Sequence, residues 1–228
     1  MGHSPHFSEN RLSENGLQLN IPRTEYLQCG SQTRTTIQIN GQTLKKATQF
    51  KYLGSLVSMD GDTMPDIWSR INSAWLKWRQ TTGILCDSKM PEKLKAKIYT
   101  TVVRPVALYG AECWPATKKH KQALNTIEMK MLRWTLGLTL LDHVPNDDIR
   151  QRLGIQAISK KMQEARLWWY GHVMRREPTS VLQRELHLET AGQRPCGRPK
   201  KRWMDTINED KRATNLSPAD APNRDLWK

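Results

Sequence analysis

Polar and apolar residues alternate early in the chain, and apolar residues then recur at three- and four-residue steps. Residues 35–44 carry two isoleucines between polar neighbours, followed by the pair Asn40-Gly41. Alternation predicts half-buried strands, and Asn-Gly favours a two-residue hairpin turn. A third strand is predicted at residues 49–57. Residues 33–57 are therefore predicted to form a small antiparallel β unit.

Beyond this unit the apolar spacing becomes that of amphipathic helices. The first predicted helix has Pro65 near its start, where proline is tolerated, and ends near Gly83. The second begins near Pro91 and is kinked or ended by Pro105, since proline removes a backbone donor. Their apolar stripes are Met64, Ile67, Ile71, Trp75 and Trp78 in the first, and Leu94, Ile98 and Val102 in the second.

Two further stripes predict long helices in the second half of the chain. The third helix is predicted to stop near Gly137, and a short helix at 147–153 to follow with Asn146 as its N-cap. The stripes of the third and fourth helices are Leu124, Ile127, Met131 and Trp134, and Ile158, Met162, Ala165, Trp169 and Val173.

From about Arg175 the periodicity is lost. Residues 192–202 read GQRPCGRPKKR and hold five basic residues and no acid. This composition predicts an extended, solvated segment, which we call the arm. Residues 203–211 are predicted to form a brief helix, and the end of the chain is polar and interrupted by proline.

Together these patterns predict an α+β fold within one large or two small domains. Residues 1–15 are predicted to be a disordered start, and residues 16–62 a small antiparallel β-hairpin unit. Residues 63–174 are predicted to be a mostly α-helical bundle, and residues 175–228 a basic, largely irregular tail.

The charge balance narrows the choice of partner. Lys and Arg number 36 against 22 Asp and Glu, which gives a net charge of +14. Such an excess costs self-repulsion and is most often offset by a polyanion such as nucleic acid. A basic protein that has no such partner is also consistent with this net charge. The nine Trp residues suit either helix cores or stacking surfaces.

The cysteines and the apolar runs indicate the compartment. Cys29, Cys86, Cys113 and Cys196 are widely separated and form no Cys-x-x-Cys pair, which predicts free thiols in a reducing compartment. No apolar run approaches the ~20 residues that a membrane span needs. The sequence therefore predicts an intracellular protein without a membrane partner.

Six segments in order share patterns with one family: GLQLNIPRTEYL (16–27), FKYLGSLVSMDG (50–61), ALYGAECWPAT (107–117), LRWTLGLTLLDHVPNDDIRQRLG (132–154), RLWWYGHVMRR (166–176) and GRPKKRW (197–203). They resemble the late palm, the primer-grip hairpin, the thumb-side helical region and the tail of non-LTR (LINE-like) retrotransposon endonuclease/reverse transcriptases. The resemblance covers roughly residues 16–212.

The resemblance implies a palm and primer-grip remnant followed by a thumb-like domain that presents cations to a template–primer duplex. Arg23 stands where the family usually has Lys, and Arg keeps the charge but changes its shape. Tyr52 and Gly54 match the primer-grip turn, although an ordinary strand end with a bulge also explains this glycine. Cations of the helical region are further candidates, and a solvated charged face explains them equally well: Arg70, Lys77, Arg79, Lys93, Lys95, Lys97, Lys118, Lys119 and Lys121.

The family's polymerase chemistry uses two metal ions held by aspartates, one element being an aromatic-x-Asp-Asp hairpin. Those motifs lie upstream of the segment that residues 16–27 resemble, and residues 1–15 contain no Asp. The resemblance therefore implies a truncated chain that binds RNA or DNA but does not polymerise alone. It implies no cofactor for this chain, whereas the parent enzyme would need Mg²⁺ and would act in the nucleus.

Three other interpretations stay open at this point. The chain is a fragment of an active reverse transcriptase, and the rest of that enzyme is its partner. It is a small DNA-binding protein that acts through the arm. It is a non-functional relic of a mobile element. Oligomeric state does not follow from the sequence.

Two acidic clusters invite a catalytic or metal-binding interpretation. Asp147 and Asp148 follow Val-Pro-Asn with no strand pattern, so we expect them in the first turn of a helix, where the helix dipole favours acids. Asp60, Asp62 and Asp66 lack the oxygen ligand and the glycine that a calcium loop needs at its fifth and sixth positions. A turn and a helix start are predicted there instead.

The arm carries the densest basic run. Its cations could neutralise phosphates, each contact steepening the salt dependence of binding: Arg198, Lys200, Lys201 and Arg202. Gly197-Arg198-Pro199 also resembles a minor-groove core, but Cys196 stands where a first Arg would be. A nuclear-import signal or a plain solvated tail fits too. His172, His187 and Cys196 lack the close pairing typical of zinc ligands.

Overall fold

The computed structural model of the chain describes residues 12–29, 36–186, 197, 200–217 and 221. The chain divides into two compact units, Met1–Asp66 and Ile67–Lys228. The first holds the strands and the second most of the helical residues, so the predicted α+β class is confirmed. Among the described residues, no helix has the length and apolar composition needed to cross a bilayer.

Two short turns with left-handed backbone shape the first unit. Asn40 and Gly41 have φ of 50° and 73°, as a type I′ turn requires at both central positions. They join β2 (Gln38–Ile39) to β3 (Gln42–Thr43) in antiparallel pairing. The hairpin predicted at this Asn-Gly pair is therefore confirmed.

A second hairpin follows where one strand was predicted. β5 (Gln49–Tyr52) and β6 (Ser55–Ser58) pair antiparallel, with Gln49 opposite Ser58. The single strand predicted over residues 49–57 is wrong because the chain reverses at Leu53-Gly54, where φ is 47° and 87°. The apolar pattern alone concealed this turn, whereas the resemblance of residues 50–61 to a hairpin, with Tyr52 and Gly54 at its turn, had indicated one.

The remaining strand pair is parallel and was not predicted. β1 (Glu25–Leu27) pairs with β4 (Lys45–Ala47), and the Lys45 ammonium lies 2.5 Å from the Glu25 carboxylate. Strands of three residues are too short to show alternation in the sequence. A 3₁₀ turn precedes β1 at Ile21–Arg23.

Helices account for most of the second unit. Their bounds are α1 (Met64–Gln80), α2 (Thr82–Leu85), α3 (Glu92–Ile98), α4 (Arg104–Ala107), α5 (Lys118–Leu136), α6 (Asn146–Leu153), α7 (Ile158–Met174), α8 (Val181–Leu186) and α9 (Trp203–Thr214). The four predicted amphipathic helices correspond to α1, α3, α5 and α7, and the short helix predicted at 147–153 corresponds to α6. α1 ends before Gly83, which lies inside α2. Gly137 caps α5 with φ of 69°, as predicted.

Pro105 does not end its helix. The residues before it, Tyr99–Val103, form a π-helical turn that connects α3 to α4. Proline lacks an N–H and clashes with the carbonyl four residues earlier, and a widened turn is a common way to accommodate a break in the α pattern. Helical backbone therefore continues through Pro105 and ends at Ala107, so the predicted end at this proline is wrong.

The buried face of α3 differs from the predicted stripe. Leu94 is 40% exposed, whereas Lys95, Tyr99 and Val103 are buried. The Lys95 ammonium donates a hydrogen bond to the Thr135 carbonyl at 3.2 Å, at the end of α5. The hypothesis that Lys95 meets nucleic acid is therefore wrong, because this cation is used inside the protein to satisfy a helix terminus.

One buried carboxylate connects several helices of the second unit. Glu128, on α5, has no exposed surface. Its Oε1 accepts hydrogen bonds from Arg104 Nη2 at 2.7 Å and from the Tyr99 hydroxyl at 3.1 Å. Its Oε2 accepts the Ile158 backbone N–H at 2.9 Å and lies 3.6 Å from Arg150 Nε. We call these groups the Glu128 network.

The Glu128 network satisfies backbone as well as side-chain groups. Ile158 begins α7, so Glu128 supplies an acceptor that a helix N-terminus otherwise lacks. Arg104 also donates to the Gln156 carbonyl at 2.6 Å. Burial, and then the Glu128 charge, raise the pKa of Tyr99 far above its usual value, so the hydroxyl keeps its proton.

α9 is part of the helical body. Ile207 on α9 is fully buried beside Leu167 and Tyr170 of α7. Arg166 of α7 donates through Nε, at 2.7 Å, and through Nη2 to the Asp210 carboxylate, and both residues are buried. The brief helix predicted at 203–211 is confirmed and extends three residues further, to Thr214.

Loss of the Glu128 carboxylate should destabilise the second unit strongly. In Glu128→Ala the Arg104 guanidinium and the Ile158 N–H lose their acceptor while buried, so we expect a loss of about 3–5 kcal/mol in the free energy of unfolding. Urea denaturation measures it. The control Glu164→Ala removes an exposed i,i+3 partner of Lys161 and should change stability by less than about 0.5 kcal/mol. Equal losses in the two variants would contradict this role for Glu128.

Candidate nucleic-acid interface

No group of three or more His, Cys, Asp or Glu side chains is placed to hold a metal ion within the residues that the structure describes. Asp147 and Asp148 lie in the first turn of α6, as predicted, and Asp147 pairs with Arg150 at 3.0 Å. The prediction that Asn146 caps this helix is wrong. Its Oδ1 instead accepts a hydrogen bond from Arg133 Nη2 at 2.9 Å.

The other acidic cluster forms the predicted turn and helix start. Asp60 Oδ1 accepts the Asp62 N–H at 2.9 Å, and Asp62 Oδ1 accepts the Met64 N–H at 3.1 Å, where α1 begins. Asp66 Oδ1 accepts the Leu56 N–H at 2.8 Å. Each carboxylate therefore satisfies backbone donors of the turn, the helix start or β6.

His172 is packed against neighbouring side chains of α7. Its ring stacks on Trp169 with centroids 5.2 Å apart, and its Nε2 lies 3.2 Å from Arg176 Nη2. His187 and Cys196, the other groups considered for zinc, lie outside the described residues.

In the first unit the candidates occupy exposed turns. Arg23 ends the 3₁₀ turn and is exposed. Tyr52 is 63% exposed at the end of β5. Gly54 has φ of 87° in the hairpin turn, a conformation that glycine adopts without strain. The turn alone therefore accounts for this glycine.

The candidates on α1 differ in environment. Arg70 is half-buried, and its guanidinium carbon lies 4.4 Å from the centre of the Tyr109 ring. This cation–π contact gives Arg70 a role within the second unit. Lys77 and Arg79 are exposed in the last turn of α1. Lys93 and Lys97 on α3 are exposed as well.

The first turn of α5 concentrates positive charge. Lys118 and Lys119 are exposed there, and the turn contains no acid. Thr117 and His120 form a capping box that fixes the turn. The helix dipole places partial positive charge at this end, and the two lysines add to it. Like charges at one helix end repel each other, and the lysines and the helix end together attract anions.

The described part of the arm is held in place by acidic partners. The Lys201 ammonium lies 2.5 Å from Glu209, and Arg202 Nη2 lies 3.5 Å from Asp205. Trp203 Nε1, next along the chain, donates to the Glu112 carbonyl at 2.7 Å. Of residues 200–202, Lys201 is therefore tied to α9, whereas Lys200 and Arg202 are exposed as the predicted solvated segment requires. Arg198 lies outside the described residues.

Glu209 is affected by cations from both the arm and the start of α5. The hydrogen bond from Lys201, followed by the charges of Lys201 and Lys121, lowers the pKa of Glu209 below its usual range, against a partial opposing effect of burial. Lys121 of α5 and Lys201 of the arm therefore act on the same carboxylate. We call the cations of these two segments the basic cluster: Lys118, Lys119, Lys121, Lys200, Lys201 and Arg202.

A groove of about 1050 Å³ lies along α1, α5 and the loop after α5. Trp75 and Trp134 line it, and the Trp134 ring lies 6.2 Å from Trp75 and 5.5 Å from Trp78, measured between centroids. Arg79, Lys130 and Arg133 are its cations, and no Asp or Glu of the described residues lines it. We call it the Trp groove.

Sequence reasoning missed the Trp groove. It treated Trp75 and Trp134 as members of apolar stripes, yet Trp134 is 61% exposed. It also named neither Lys130 nor Arg133. The signal in the sequence is the interleaving of cations with tryptophan in residues 130–134, KMLRW.

Comparison with known proteins gives one distant similarity. The chain is 25% identical over 216 residues to an uncharacterized transposon-derived protein of Caenorhabditis elegans, and the match covers 88% of this chain and 75% of that protein. No family model matches the chain, and no solved structure matches it. The similarity supports an origin in a transposable element.

The pairing of Lys201 with Glu209 can be tested by titration. In Lys201→Met the hydrogen bond to Glu209 is lost, so the pKa of Glu209 should rise toward its ordinary value of 4.5. Because pairing lowers this pKa, the attachment of the arm holds at neutral pH and weakens as the pH falls through the lowered pKa. NMR of the Glu209 carboxyl carbon measures the shift. Lys160→Met, distant in sequence and on α7, should leave the pKa unchanged.

Proposed function

We propose that this chain is a nucleic-acid-binding part of a non-LTR (LINE-like) retrotransposon reverse transcriptase, and that it binds RNA or DNA without polymerising by itself. The basic cluster carries the proposal, because it unites cations from two segments that lie about 80 residues apart in the chain. The transposon-derived relative and the six ordered segments of sequence resemblance support it.

The basic cluster has the chemistry that phosphates require. Its six cations outnumber the two carboxylates that pair with them, Asp205 and Glu209, which leaves an excess of positive charge. The N-terminus of α5 adds its dipole to that charge. Phosphate contacts of this kind give binding that depends on salt and little on sequence.

The arm acts with the helical body in this proposal. Lys201 and Arg202 are paired with carboxylates of α9, so phosphates must compete with those carboxylates for them. Lys118 and Lys119 have no acid within their own helical turn. In a protein that binds through the arm alone, these two lysines would contribute little. We therefore propose that they contribute a larger share of the binding here.

Polymerisation is assigned to other parts of such an enzyme. The described residues contain no group of acids placed to hold a metal ion, and this family's chemistry uses two metal ions bound by aspartates. The rest of a reverse transcriptase would supply that centre with its Mg²⁺. We propose the nucleus as the site of action, where the basic run of the arm would also serve as an import signal.

Charge removal at the basic cluster should flatten the salt dependence of binding. Filter binding to a DNA duplex across a range of salt concentrations gives the slope of log affinity against log salt, about 0.9 per phosphate contact. Replacing Lys118, Lys119, Lys200 and Lys201 with Gln should lower that slope by about 2–4. The matched control replaces Lys51, Lys89, Lys160 and Lys161 with Gln, which removes the same charge from exposed lysines that are not candidates for binding.

Two results would overturn the assignment to the basic cluster. One is an equal loss of slope in the two fourfold variants, because net charge alone would then account for binding. The other is failure of the unaltered chain to retain DNA or RNA at low ionic strength, which would remove the proposed function itself.

The absence of polymerisation can be tested directly. The purified chain should not extend a DNA primer on an RNA template with Mg²⁺ and all four deoxynucleotides. Gel electrophoresis of a labelled primer measures extension, and an active reverse transcriptase serves as the positive control. Extension above background by the purified chain would contradict the proposal.

A further inference from the structure

The Trp groove presents a fixed aromatic surface to solvent. Trp134 is 61% exposed although its ring packs at tilted angles of 62° and 63° against Trp75 and Trp78. Trp78 is buried, so the pair behind Trp134 is anchored in the helical body. An exposed aromatic ring held in this way loses little freedom when a flat ligand stacks on it.

The charges around this ring select for anions. Arg79 and Lys130 are exposed, Arg133 is buried at the rim, and no carboxylate from the described part of the chain lines the groove. Arg133 is fixed by hydrogen bonds to the Val144 carbonyl at 2.8 Å and to Asn146. These contacts hold the loop after α5 in place along one wall.

We propose that the Trp groove binds single-stranded nucleic acid, with a base stacked on Trp134 and neighbouring phosphates near Arg79 and Lys130. This inference rests on the proposed function and adds a second surface to the basic cluster. Stacking on aromatic side chains beside a cationic groove is how proteins hold single strands with little sequence preference. Bases of a duplex are stacked on each other and cannot reach the ring.

Charge complementarity favours this occupant over a protein segment. Among the residues that the structure describes, the groove has three cations and no acid, and it belongs to a chain with a net charge of +14. An apolar helix of a partner would use the apolar wall but leave the exposed cations Arg79 and Lys130 without a counterpart. A nucleic-acid strand offers the ring a flat face and the cations phosphates.

A matched pair of oligonucleotides tests the stacking. Fluorescence anisotropy compares a single-stranded oligothymidylate of about ten nucleotides with an abasic strand of equal length and charge. The unaltered chain should bind the base-containing strand about tenfold more tightly, since one stacked base contributes ~1–3 kcal/mol. Trp134→Leu should remove this preference, and Trp134→Phe should retain part of it.

The control uses another exposed tryptophan. Trp168 on α7 is 54% exposed and lines a different cavity, which contains Glu112 and Glu164. Trp168→Leu should keep the full preference for bases. Duplex binding by each variant should equal that of the unaltered chain, which also shows that the variant is folded.

The outcomes separate this inference from the proposed function. If the unaltered chain binds both single strands equally, or if Trp134→Leu keeps the preference, the groove does not stack bases and the inference fails. Duplex binding through the basic cluster would then still stand. If Trp134→Leu also loses duplex binding, the Trp134→Phe variant decides: preference retained with an aromatic ring at this position supports stacking, and its complete loss in a variant that still binds duplex would overturn the inference.

Discussion

The buried carboxylate of Glu128 is the contact on which the arrangement of the second unit depends. It accepts hydrogen bonds from the chain before α5 and from the start of α7, so it fixes α5 between them. Both candidate surfaces use α5. The basic cluster includes its first turn, and the Trp groove includes Lys130, Arg133 and Trp134 near its end. A single helix, held at its middle, therefore positions two surfaces.

Buried arginines repeat this principle elsewhere in the unit. Arg166 binds Asp210 and so sets the position of α9, the helix that directly follows the arm in the chain. Arg133 holds the loop after α5. Buried ion pairs contribute little net stability compared with apolar packing but are costly to break singly. In this protein we infer that the buried ion pairs hold the cationic surfaces in position. Without them, repulsion between the positive charges would loosen the fold.

Local signals made much of the fold predictable. The Asn40-Gly41 turn and the long apolar periods of α1, α5 and α7 depend on neighbouring residues only, so they could be identified from sequence. The π-helical turn before Pro105, the inward direction of Lys95 and the partner of Asn146 depend on contacts distant in sequence. The site divided in the same way: Lys121 and Lys201 could each be named as candidate cations from the sequence, but their common effect on Glu209 could not be predicted. A periodic tryptophan such as Trp134 indicates a helix face without showing whether anything covers it.

The widened turn at Tyr99–Val103 gives the chain a register constraint. A π turn holds one more residue than an α turn, and each residue rotates a helix by about 100°. The extra residue therefore decides which side chains on either side of the turn face inward. With it, Tyr99, the first residue of the widened turn, and Arg104, the residue that follows the turn, both reach the same carboxylate. Shortening this stretch by one residue would turn one of them toward solvent, so chain length here is restricted even where side-chain identity is not.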